Sequence, residues 1–345
     1  MKKHLIAVAV AAAVAAPAAM ADTTLYGLAH VSVDYIDNDA LADANVNVQS
    51  GSSRLGVKGT EKLSNGLSAI YQMEFGVDMS DSSSSTFSAR NQFVGLTGGF
   101  GTLVAGRHDT PMKLAIAKYD LFGDQIGNNG NATLYNIRAA NVVAYMLPSN
   151  LGGFNGTVAY VADLNPDSLN DLASGGVSTT SADNNDFQAY NVQLGYEHKI
   201  FTIDGVYQSW DVVGDSFTDW VVGAGVKFGG LKVNALYQKP DSDILDADLY
   251  GLGAAYTFGN NTIKGQYYTA NVDGLSDDPT MWALGYDYKM SKQTTVYAAY
   301  GQGKDGFNVV GYGHGGKTGV SKVDGIDIYN GADVSAFSVG VKHKF

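Results

Sequence analysis

The sequence predicts an all-β fold, a transmembrane antiparallel β-barrel of sixteen strands. Three features carry this prediction. Apolar and polar residues alternate with a period of two along most of the chain, which is typical of strands with one wet face. Aromatic side chains stand at both ends of the apolar face, with small aliphatic side chains between them, as on the lipid-facing surface of a membrane barrel. Short and long connections alternate from strand to strand.

The first 21 residues have the pattern of a cleaved secretory signal peptide. Lys2 and Lys3 precede an apolar run that ends in Ala19-Met20-Ala21, a small-x-small cleavage site. The run is short for a membrane helix, which needs about 20 apolar residues. We therefore expect residues 1–21 to be removed on export and residues 22–345 to form a single barrel domain.

The composition excludes several classes of function. The chain has no cysteine, which excludes thiol catalysis and a disulfide framework. Without the leader, 20 basic side chains stand against 34 acidic ones, and a net charge of −14 disfavours nucleic acid as a partner. The six histidines form no pair at metal-ligand spacing. No Ser/His/Asp or paired-carboxylate arrangement has supporting context, so we expect neither enzymatic activity nor a cofactor.

The strands follow from the alternation. In the segment 280–290, Trp282, Leu284 and Tyr286 share the apolar face and Asp287 lies on the opposite one. Five of the six prolines lie where strand patterns end, which suits long uninterrupted ladders. The sixteen predicted strands span residues 24–37, 52–62, 67–78, 88–97, 101–110, 138–148, 154–163, 187–199, 201–212, 219–229, 231–240, 248–258, 262–271, 280–290, 293–304 and 335–345.

The connections alternate between tight turns and long polar loops. A spanning barrel has short turns on the periplasmic side and longer loops outside the cell, whereas a soluble meander needs no such asymmetry. The predicted turns are 63–66, 98–101, 149–153, 199–200, 229–230, 259–261 and 290–292, and the predicted loops are 38–51, 79–87, 111–137, 164–186, 213–218, 241–247, 272–279 and 305–334.

The chain ends on "SAFSVGVKHKF", a strand with one apolar and one cationic face. We expect Phe345 to be an interfacial ring on the lipid side, with Lys342 and Lys344 pointing to the lumen. A free strand edge is not tolerated in lipid, so this strand must pair with the first one, "TTLYGLAHVSVDY".

Several motifs together resemble one known family. They are the opening "DTTLYGLAHVSVDY", the hairpin "SSRLGVKGTEKLSNGLSAIYQMEFG", the segment "RNQFVGLTGGFGTLVAGRHDTP" and the terminal Phe. In these the chain is similar to the trimeric general-diffusion porins of the Gram-negative outer membrane, over essentially all of residues 22–345. The resemblance implies sixteen strands, a homotrimer, an aqueous pore in each protomer, and recognition of Phe345 by the barrel-assembly machinery.

The resemblance also implies that the third long loop folds into the barrel and forms a constriction. This loop, residues 111–136, has a substantial apolar stretch between Leu114 and Leu121, which suits packing against a wall. In the family, acids on this loop face arginines and lysines on the opposite wall. The matching acids are Asp120 and Asp124, and the candidate wall residues are Arg54, Lys58, Glu74, Arg90, Arg107 and Arg138.

Alternation assigns Arg54, Lys58 and Glu74 to the lumen, Arg90 lies on a strand of mixed phase, and Arg107 departs from the pattern. Arg54 and Lys58 alternate with Leu55 and Val57, and Glu74 alternates with Met73 and Phe75. Arg107 has the parity of Leu103 and Ala105, so a lumen position needs a bulge or a place above the membrane. A cation at the lipid midplane would cost about 2–4 kcal/mol, which favours the lumen.

We expect a passive outer-membrane channel for ions and small hydrophilic solutes. Because acids and cations nearly cancel at the constriction, we expect a mild cation preference supplied mainly by the acidic loops. Outer-membrane lipids and lipopolysaccharide are the expected surroundings. A substrate-specific porin for a sugar or an organic acid remains open, although no ladder of lumen aromatics supports it. A secreted or surface β-rich adhesin is the alternative from another class, and a barrel enzyme is a weaker one.

Two further motifs have simpler explanations. "GYGHGGKT" (311–318) fits the phosphate-binding loop pattern, but it has neither the preceding buried strand nor the following helix, and a glycine-rich external loop explains it. Acids cluster in 163–171 and 241–248, where a divalent cation shared with lipopolysaccharide is conceivable. Their spacing matches no defined loop, so solvated acidic loops explain them better.

Overall fold

The computed structural model describes residues 22–39, 44–80, 86–134, 136–162, 188–212, 215–242, 245–310 and 333–345. The predicted signal peptide lies outside these residues. The strands are β1 (Asp22–Asn38), β2 (Asn45–Ser50), β3 (Arg54–Lys62), β4 (Ser68–Val77), β5 (Phe87–Gly98), β6 (Gly101–Asp109), β7 (Arg138–Met146), β8 (Phe154–Val161), β9 (Gln188–Glu197), β10 (Phe201–Val212), β11 (Asp215–Phe228), β12 (Leu231–Ser242), β13 (Leu245–Phe258), β14 (Asn261–Val272), β15 (Thr280–Lys289), β16 (Thr294–Lys304) and β17 (Val334–Lys344). One α-helix of the described chain, α1 (Pro111–Tyr119), follows β6.

The strands form one closed antiparallel barrel. From β3 to β17 each strand pairs with the next, and β17 pairs back with β1. Both β2 and β3 pair with β1, along residues 31–36 and 22–28 respectively, so the two together make one crossing of the membrane. The break between them, at residues 51–53, contains Ser52 with a φ of 49°. The seventeen strand segments are therefore sixteen crossings, as predicted.

The outer face of the barrel is apolar and bounded by aromatic rings. On β13, Tyr250 stands at one end and Tyr256 and Phe258 at the other, with Leu252 between them, and all four are exposed. These rings sit at the two levels where a bilayer core meets water, and the aliphatic band lies between them. The alternation that predicts the strands thus places their apolar faces outward.

Two hairpins extend further than the sequence predicts. The predicted loops 213–218 and 241–247 are mostly strand, because β10 and β11 pair out to residues 212 and 215, and β12 and β13 out to residues 242 and 245. In these added ends the outer parity is polar, as at Ser216 and Asp246, and the inner parity carries the buried Phe217 and Ala247, so the apolar-outward pattern no longer marks the strand. The ladder continues because it pairs backbone groups. β2 also corrects the predicted loop 38–51: Val46 and Val48 are exposed and alternate with polar residues, so the period of two is present there, although it is short.

The seam of the barrel closes at the last residue. Gly27 and Phe345 exchange backbone hydrogen bonds of 3.0 and 3.2 Å. The Phe345 ring is about half exposed and occupies the space that a Cβ on Gly27 would need. Phe345 therefore lies on the outer face, as predicted, and completes the pairing of the first and last strands.

Two of the predicted motifs lie outside the described residues. They are the phosphate-binding pattern 311–318 and the acidic segment 163–171. Among the described residues no helix has the length and apolarity needed to span a membrane. The described part of the chain also contains no grouping of three or more His, Cys, Asp or Glu placed to hold a metal ion.

Candidate constriction site

The connection between β6 and β7, residues 110–137, packs against the polar face of the barrel. It begins with α1, for which Thr110 is the N-cap: its hydroxyl accepts a hydrogen bond from the Lys113 amide at 3.3 Å. Pro111 occupies the first helical position, where no amide hydrogen is required. One side of α1 is buried, with Met112, Ile116 and Tyr119 almost fully enclosed. The remaining connection adds the buried side chains of Phe122 and Ile126.

The end of α1 is fastened to β10. The Tyr119 hydroxyl donates to Asp204 Oδ2 at 2.5 Å, and Lys118 Nζ lies 2.7 Å from the same oxygen. The Tyr119 ring lies over Gly223, where an added Cβ would collide with it. Burial, and the hydrogen bond to the Asp204 carboxylate, raise the pKa of the Tyr119 hydroxyl. Tyr119 therefore stays protonated and serves as a donor.

Amide side chains of β12 and β14 hold the next part of the connection by its backbone. Gln238 accepts from the Leu134 amide at 3.0 Å and donates to the Leu134 carbonyl at 2.8 Å. Asn234 donates to the Tyr119 carbonyl at 2.9 Å. Gln266 accepts from the Leu121 amide at 3.1 Å. Backbone groups that would otherwise be unpaired in this buried place are thereby satisfied.

A buried lysine makes a third attachment. Lys264 Nζ donates to Gln125 Oε1 at 2.6 Å and to Asp287 Oδ2 at 2.8 Å, and it lies 4.8 Å from the centre of the Phe122 ring. Its side chain is only 4% exposed. The positive charge is thus compensated by one carboxylate, one amide and one aromatic face.

Asp120 is part of the internal structure of the connection. Its carboxylate accepts hydrogen bonds from the backbone amides of Phe122, Gly123 and Asn129 at 3.2, 2.6 and 3.2 Å. It also accepts from Gln266 Nε2 at 3.0 Å. Burial raises the pKa of Asp120, and these hydrogen bonds oppose that shift. Its four donors indicate that Asp120 shapes the turn instead of presenting a free carboxylate.

Asp124 reaches β3. Its Oδ2 lies 3.6 Å from Arg54 Nη1, and Arg54 in turn lies 4.0 Å from Glu74. Glu74 also accepts from Arg90 Nε at 2.6 Å and from the Tyr26 hydroxyl at 2.9 Å. The structure therefore brings four of the predicted residues together in one chain of charges, Asp124, Arg54, Glu74 and Arg90.

A second charged group lies further round the wall. Arg138 Nη2 is 3.0 Å from Asp109, and its Nε donates to Asn91 Oδ1 at 2.8 Å. Asn91 also donates to Asp109 at 2.9 Å. Arg138 thus belongs to a cluster next to the first one, with Asp109 as the partner that the sequence does not single out.

Lys58 and Arg107 are the two remaining predicted cations. Lys58 is exposed and lies 5.1 Å from the centre of the Tyr26 ring. Arg107 is half-buried, and the pairing of β6 with β7 is irregular beside it, between Gly106 and His108. An irregularity is therefore present where a lumen position for Arg107 requires one, and that position stays a prediction.

Several residues at this site are missed by sequence reasoning. Lys118, Asp204, Lys264 and Gln266 all attach the connection to the wall, and Lys342 Nζ approaches Gly123. Alternation marks the polar parity of Asp204, Lys264 and Gln266 in their strands. Their partners lie 85 to 146 residues away in the chain, and no local pattern could identify them.

The arrangement brings charged and amide side chains of the barrel wall against one connection. Six wall residues that hold the described part of the connection have the parity opposite to the exposed apolar residues of their strands: Asp204, Asn234, Gln238, Lys264, Gln266 and Asp287. The charges are compensated in pairs, and half-exposed cations remain beside them. Such a site can order water and select solutes by size and charge.

A closed antiparallel barrel of sixteen crossings, with an apolar outer face and charged side chains on the opposite face, defines a class of membrane channel. The chain belongs to the Gram-negative porin family, whose model matches residues 7–308. It is accordingly an outer-membrane protein and a channel, not an enzyme.

Individual porins are similar over nearly the whole chain. Outer membrane porin protein 32 of Delftia acidovorans is 29% identical over 382 aligned positions, which cover 100% of both chains. Major outer membrane protein P.IB of Neisseria gonorrhoeae is 29% identical over 343 positions, covering 89% of this chain and 94% of the relative.

Solved structures share the fold. An anion-selective porin from Comamonas acidovorans has a TM-score of 0.74 at 25% identity, over 94% of this chain and 100% of that one. In vitro folded OmpT of Vibrio cholerae, in a trimer form, has a TM-score of 0.65 at 18% identity, over 94% of this chain and 99% of that one. The second likeness concerns the fold alone.

Proposed function

We propose that the protein is a water-filled channel for passive diffusion of ions and small hydrophilic solutes across the outer membrane. The observation that carries this proposal is that two clusters of charged side chains lie on the wall of a barrel whose polar face also holds the connection 110–137. Family membership favours a channel over the secreted adhesin. A dedicated sugar channel is not favoured, because the described residues form no aromatic ladder on the polar face.

The connection 110–137 is the constriction. Its hydrogen bonds reach β10, β12, β14 and β15, and Asp124 reaches Arg54 on β3, so it is attached at points round much of the barrel wall. Solutes pass between the exposed side of α1 and the wall that carries Arg90 and Arg138. The narrowest passage is therefore set by a segment that is fixed at several points along its length.

The charges of the described residues favour anions at this passage. Asp120 and Asp204 are used in holding the connection, so Asp124 is the acid of the connection that remains half-exposed. Cations of polar parity continue towards the end of the barrel with short turns; they are Lys58, Lys227, Lys232, Lys342 and Lys344. The net charge of the mature chain resides largely in the loops, which are wet and screened beyond about 8–10 Å at physiological salt.

The mild cation preference expected from the sequence is the competing prediction. That prediction gives the acidic loops more influence on selectivity than the charges at the constriction. The arrangement of the lumen cations favours anions instead. The similarity to an anion-selective porin supports the second alternative. We therefore propose an anion preference, with the acidic loops reducing it most at low ionic strength, where their field extends furthest.

The expected partners follow from the family. We propose a homotrimer, in keeping with the trimer form of the structural neighbour. Assembly through recognition of Phe345 and contact with lipopolysaccharide outside the aromatic girdle stay predictions of the sequence. Both can be examined on outer membranes that contain the protein.

Liposome swelling tests the channel proposal. Vesicles containing the purified protein are diluted into isosmotic neutral sugars of increasing size and into an anionic and a cationic amino acid of similar size. Swelling should be fast for small solutes and decline smoothly with size, and the anionic amino acid should enter faster than the cationic one. Swelling with one sugar alone would favour the substrate-specific porin, and none at all would contradict a channel.

A further inference from the structure

We propose that a groove on the outer face of the barrel binds one acyl chain of a phospholipid from the periplasmic leaflet. The groove lies across β8, β9 and β10 and has a volume of about 410 Å³. Its walls include Leu147, Phe154, Leu194, Tyr196 and Ile203, and Gly205 lies within it. The proposal depends on the outer-membrane location of the barrel and not on the selectivity of its pore.

Two glycines on the outer parity create the depression. A Cβ on Gly205, between Ile203 and Tyr207, would meet open space, so the surface is lowest there. At Gly156 the missing Cβ lets Leu147 and Leu194 lean over the backbone, since an added Cβ would lie 2.8 and 3.0 Å from their methyl groups. Phe154 and Leu194 rise above this floor, with 61% and 64% of their surface exposed.

A linear hydrocarbon chain fits such a groove better than bulk lipid does. Because acyl chains are as apolar as leucine, transfer into the groove brings no hydrophobic gain, and the preference must come from packing. Wall atoms that face a void lose their dispersion contacts, and a chain lying along the groove restores them on several sides. The leucine, isoleucine and aromatic walls offer such contacts.

The position of the groove selects the kind of lipid. It lies beside the turns 147–153 and 198–200, at the end of the barrel where connections are short, which is the periplasmic end. Phe154 contacts Tyr196 with ring centres 4.8 Å apart, and Phe201 bridges Tyr196 to His198 through centre distances of 5.8 and 5.2 Å. This row of rings leads from the groove to the exposed turn that holds Lys199.

The headgroup would lie at that turn. Aromatic rings prefer the level where hydrocarbon meets the polar region, and basic groups just outside it attract lipid phosphates. Lys199 is exposed and supplies a positive charge next to the row of rings. A phosphate above an acyl chain matches this order of apolar groove, aromatic ring and cation.

Native mass spectrometry of the detergent-purified protein, titrated with phosphatidylethanolamine, tests the proposal. Wild type should retain one tightly bound lipid per protomer, and Gly205→Leu, which fills the floor, should bind it about tenfold more weakly, equivalent to about 1.4 kcal/mol. Ala235→Leu adds the same side chain to the outer face of β12 and should bind like wild type. Equal binding by all three proteins would overturn the proposal, as would loss of the trimer in Gly205→Leu, which would identify a contact between copies.

Fluorescence provides a second measurement if Gly205→Leu fails to fold. Phe154→Trp places a reporter in the groove, and Phe228→Trp places one on the exposed outer face at the same end. In vesicles with increasing fractions of phospholipid brominated on its acyl chains, the emission added by Phe154→Trp should be quenched at lower bromolipid fractions than the emission added by Phe228→Trp. Identical quenching curves, or displacement of the bromolipid by lipopolysaccharide at equal concentration, would contradict a phospholipid site.

Discussion

Replacing Asp204 by Asn should loosen the constriction and make the channel more anion-selective. The carboxylate is 3% exposed and accepts from both the Tyr119 hydroxyl and Lys118 Nζ. Asn keeps an oxygen for Tyr119 but removes the charge. A hydrogen bond to a charged group contributes about 1.5–3 kcal/mol, so the ratio of docked to undocked connection should fall by about 10- to 150-fold.

Single-channel recording in planar bilayers measures both consequences of Asp204→Asn. A connection that leaves the wall more often should increase open-channel current noise and lower the voltage at which the channel closes. Released from its carboxylate, Lys118 adds a free positive charge to the passage, so the reversal potential in a salt gradient should move towards anions. The shift should shrink at high salt because the charge is screened.

Two control variants separate these effects. Asp211→Asn removes the same charge from the same strand, but Asp211 is exposed on the outer parity, so noise and reversal potential should stay at wild-type values. Tyr119→Phe removes one hydrogen bond without changing charge, so noise should rise while the reversal potential stays constant. If Asp204→Asn matched wild type in both quantities, the attachment of α1 to β10 would not hold the constriction.

Four further variants test the other roles assigned here, in three predictions. Asp124→Asn should shift the reversal potential towards anions with little change in noise, because its carboxylate is the half-exposed partner of Arg54. Asp120→Asn should instead increase noise, because it weakens the acceptor of several backbone amides. Deleting Phe345, or replacing Gly27 by Val beneath its ring, should lower the yield of folded trimer on unheated gels more than the conductance of assembled channels.

These three predictions fail in distinct ways. Identical reversal-potential shifts for the two aspartates would mean that both carboxylates face the passage, as the sequence alone predicts. An unchanged trimer yield without Phe345 would refute its part in assembly. A matched control for Gly27→Val is Ala235→Val, which adds bulk to the outer face away from the seam.

Alternation is sufficient to predict the barrel because lipid and water meet opposite faces of every crossing. It stops being informative where the outer parity becomes polar and apolar side chains lie on the inner parity, which is why β11, β12 and β13 extend beyond their predicted ends. The break between β2 and β3 is equally invisible to alternation. It depends on how Gly51, Ser52 and Ser53 are accommodated beside His30, whose backbone amide donates to the Ser53 hydroxyl at 2.9 Å.

The two loop aspartates illustrate what a sequence can and cannot distinguish. The resemblance predicts the same role for both, but Asp120 begins a turn that ends at Gly123, whose φ is 56°. An Asp three residues before a Gly is a turn signature, so its internal hydrogen bonds could be anticipated. The partnership of Asp124 with Arg54, which lies far earlier in the chain, could not, because it depends on the path of the whole connection.

The wall residues divide in the same manner. Alternation correctly gives Glu74 the polar parity, and the structure places it between Arg54 and Arg90. The attachment points Asp204 and Lys264 also have that parity in their strands, yet nothing local separates them from other polar residues. Their importance arises from long-range contacts with α1 and the residues that follow it.

The reversal potential of the wild-type channel in a potassium chloride gradient is the most direct measurement of the account. A bilayer containing the purified trimer is held between chambers that differ about tenfold in salt, for which an ideally selective channel gives about 59 mV. If the lumen cations outweigh the half-exposed Asp124, the reversal potential should have the sign set by chloride. It should be larger in Asp124→Asn than in the wild-type channel. A potential of the sign set by potassium, unchanged in Asp124→Asn, would contradict the account and return the selectivity to the acidic loops.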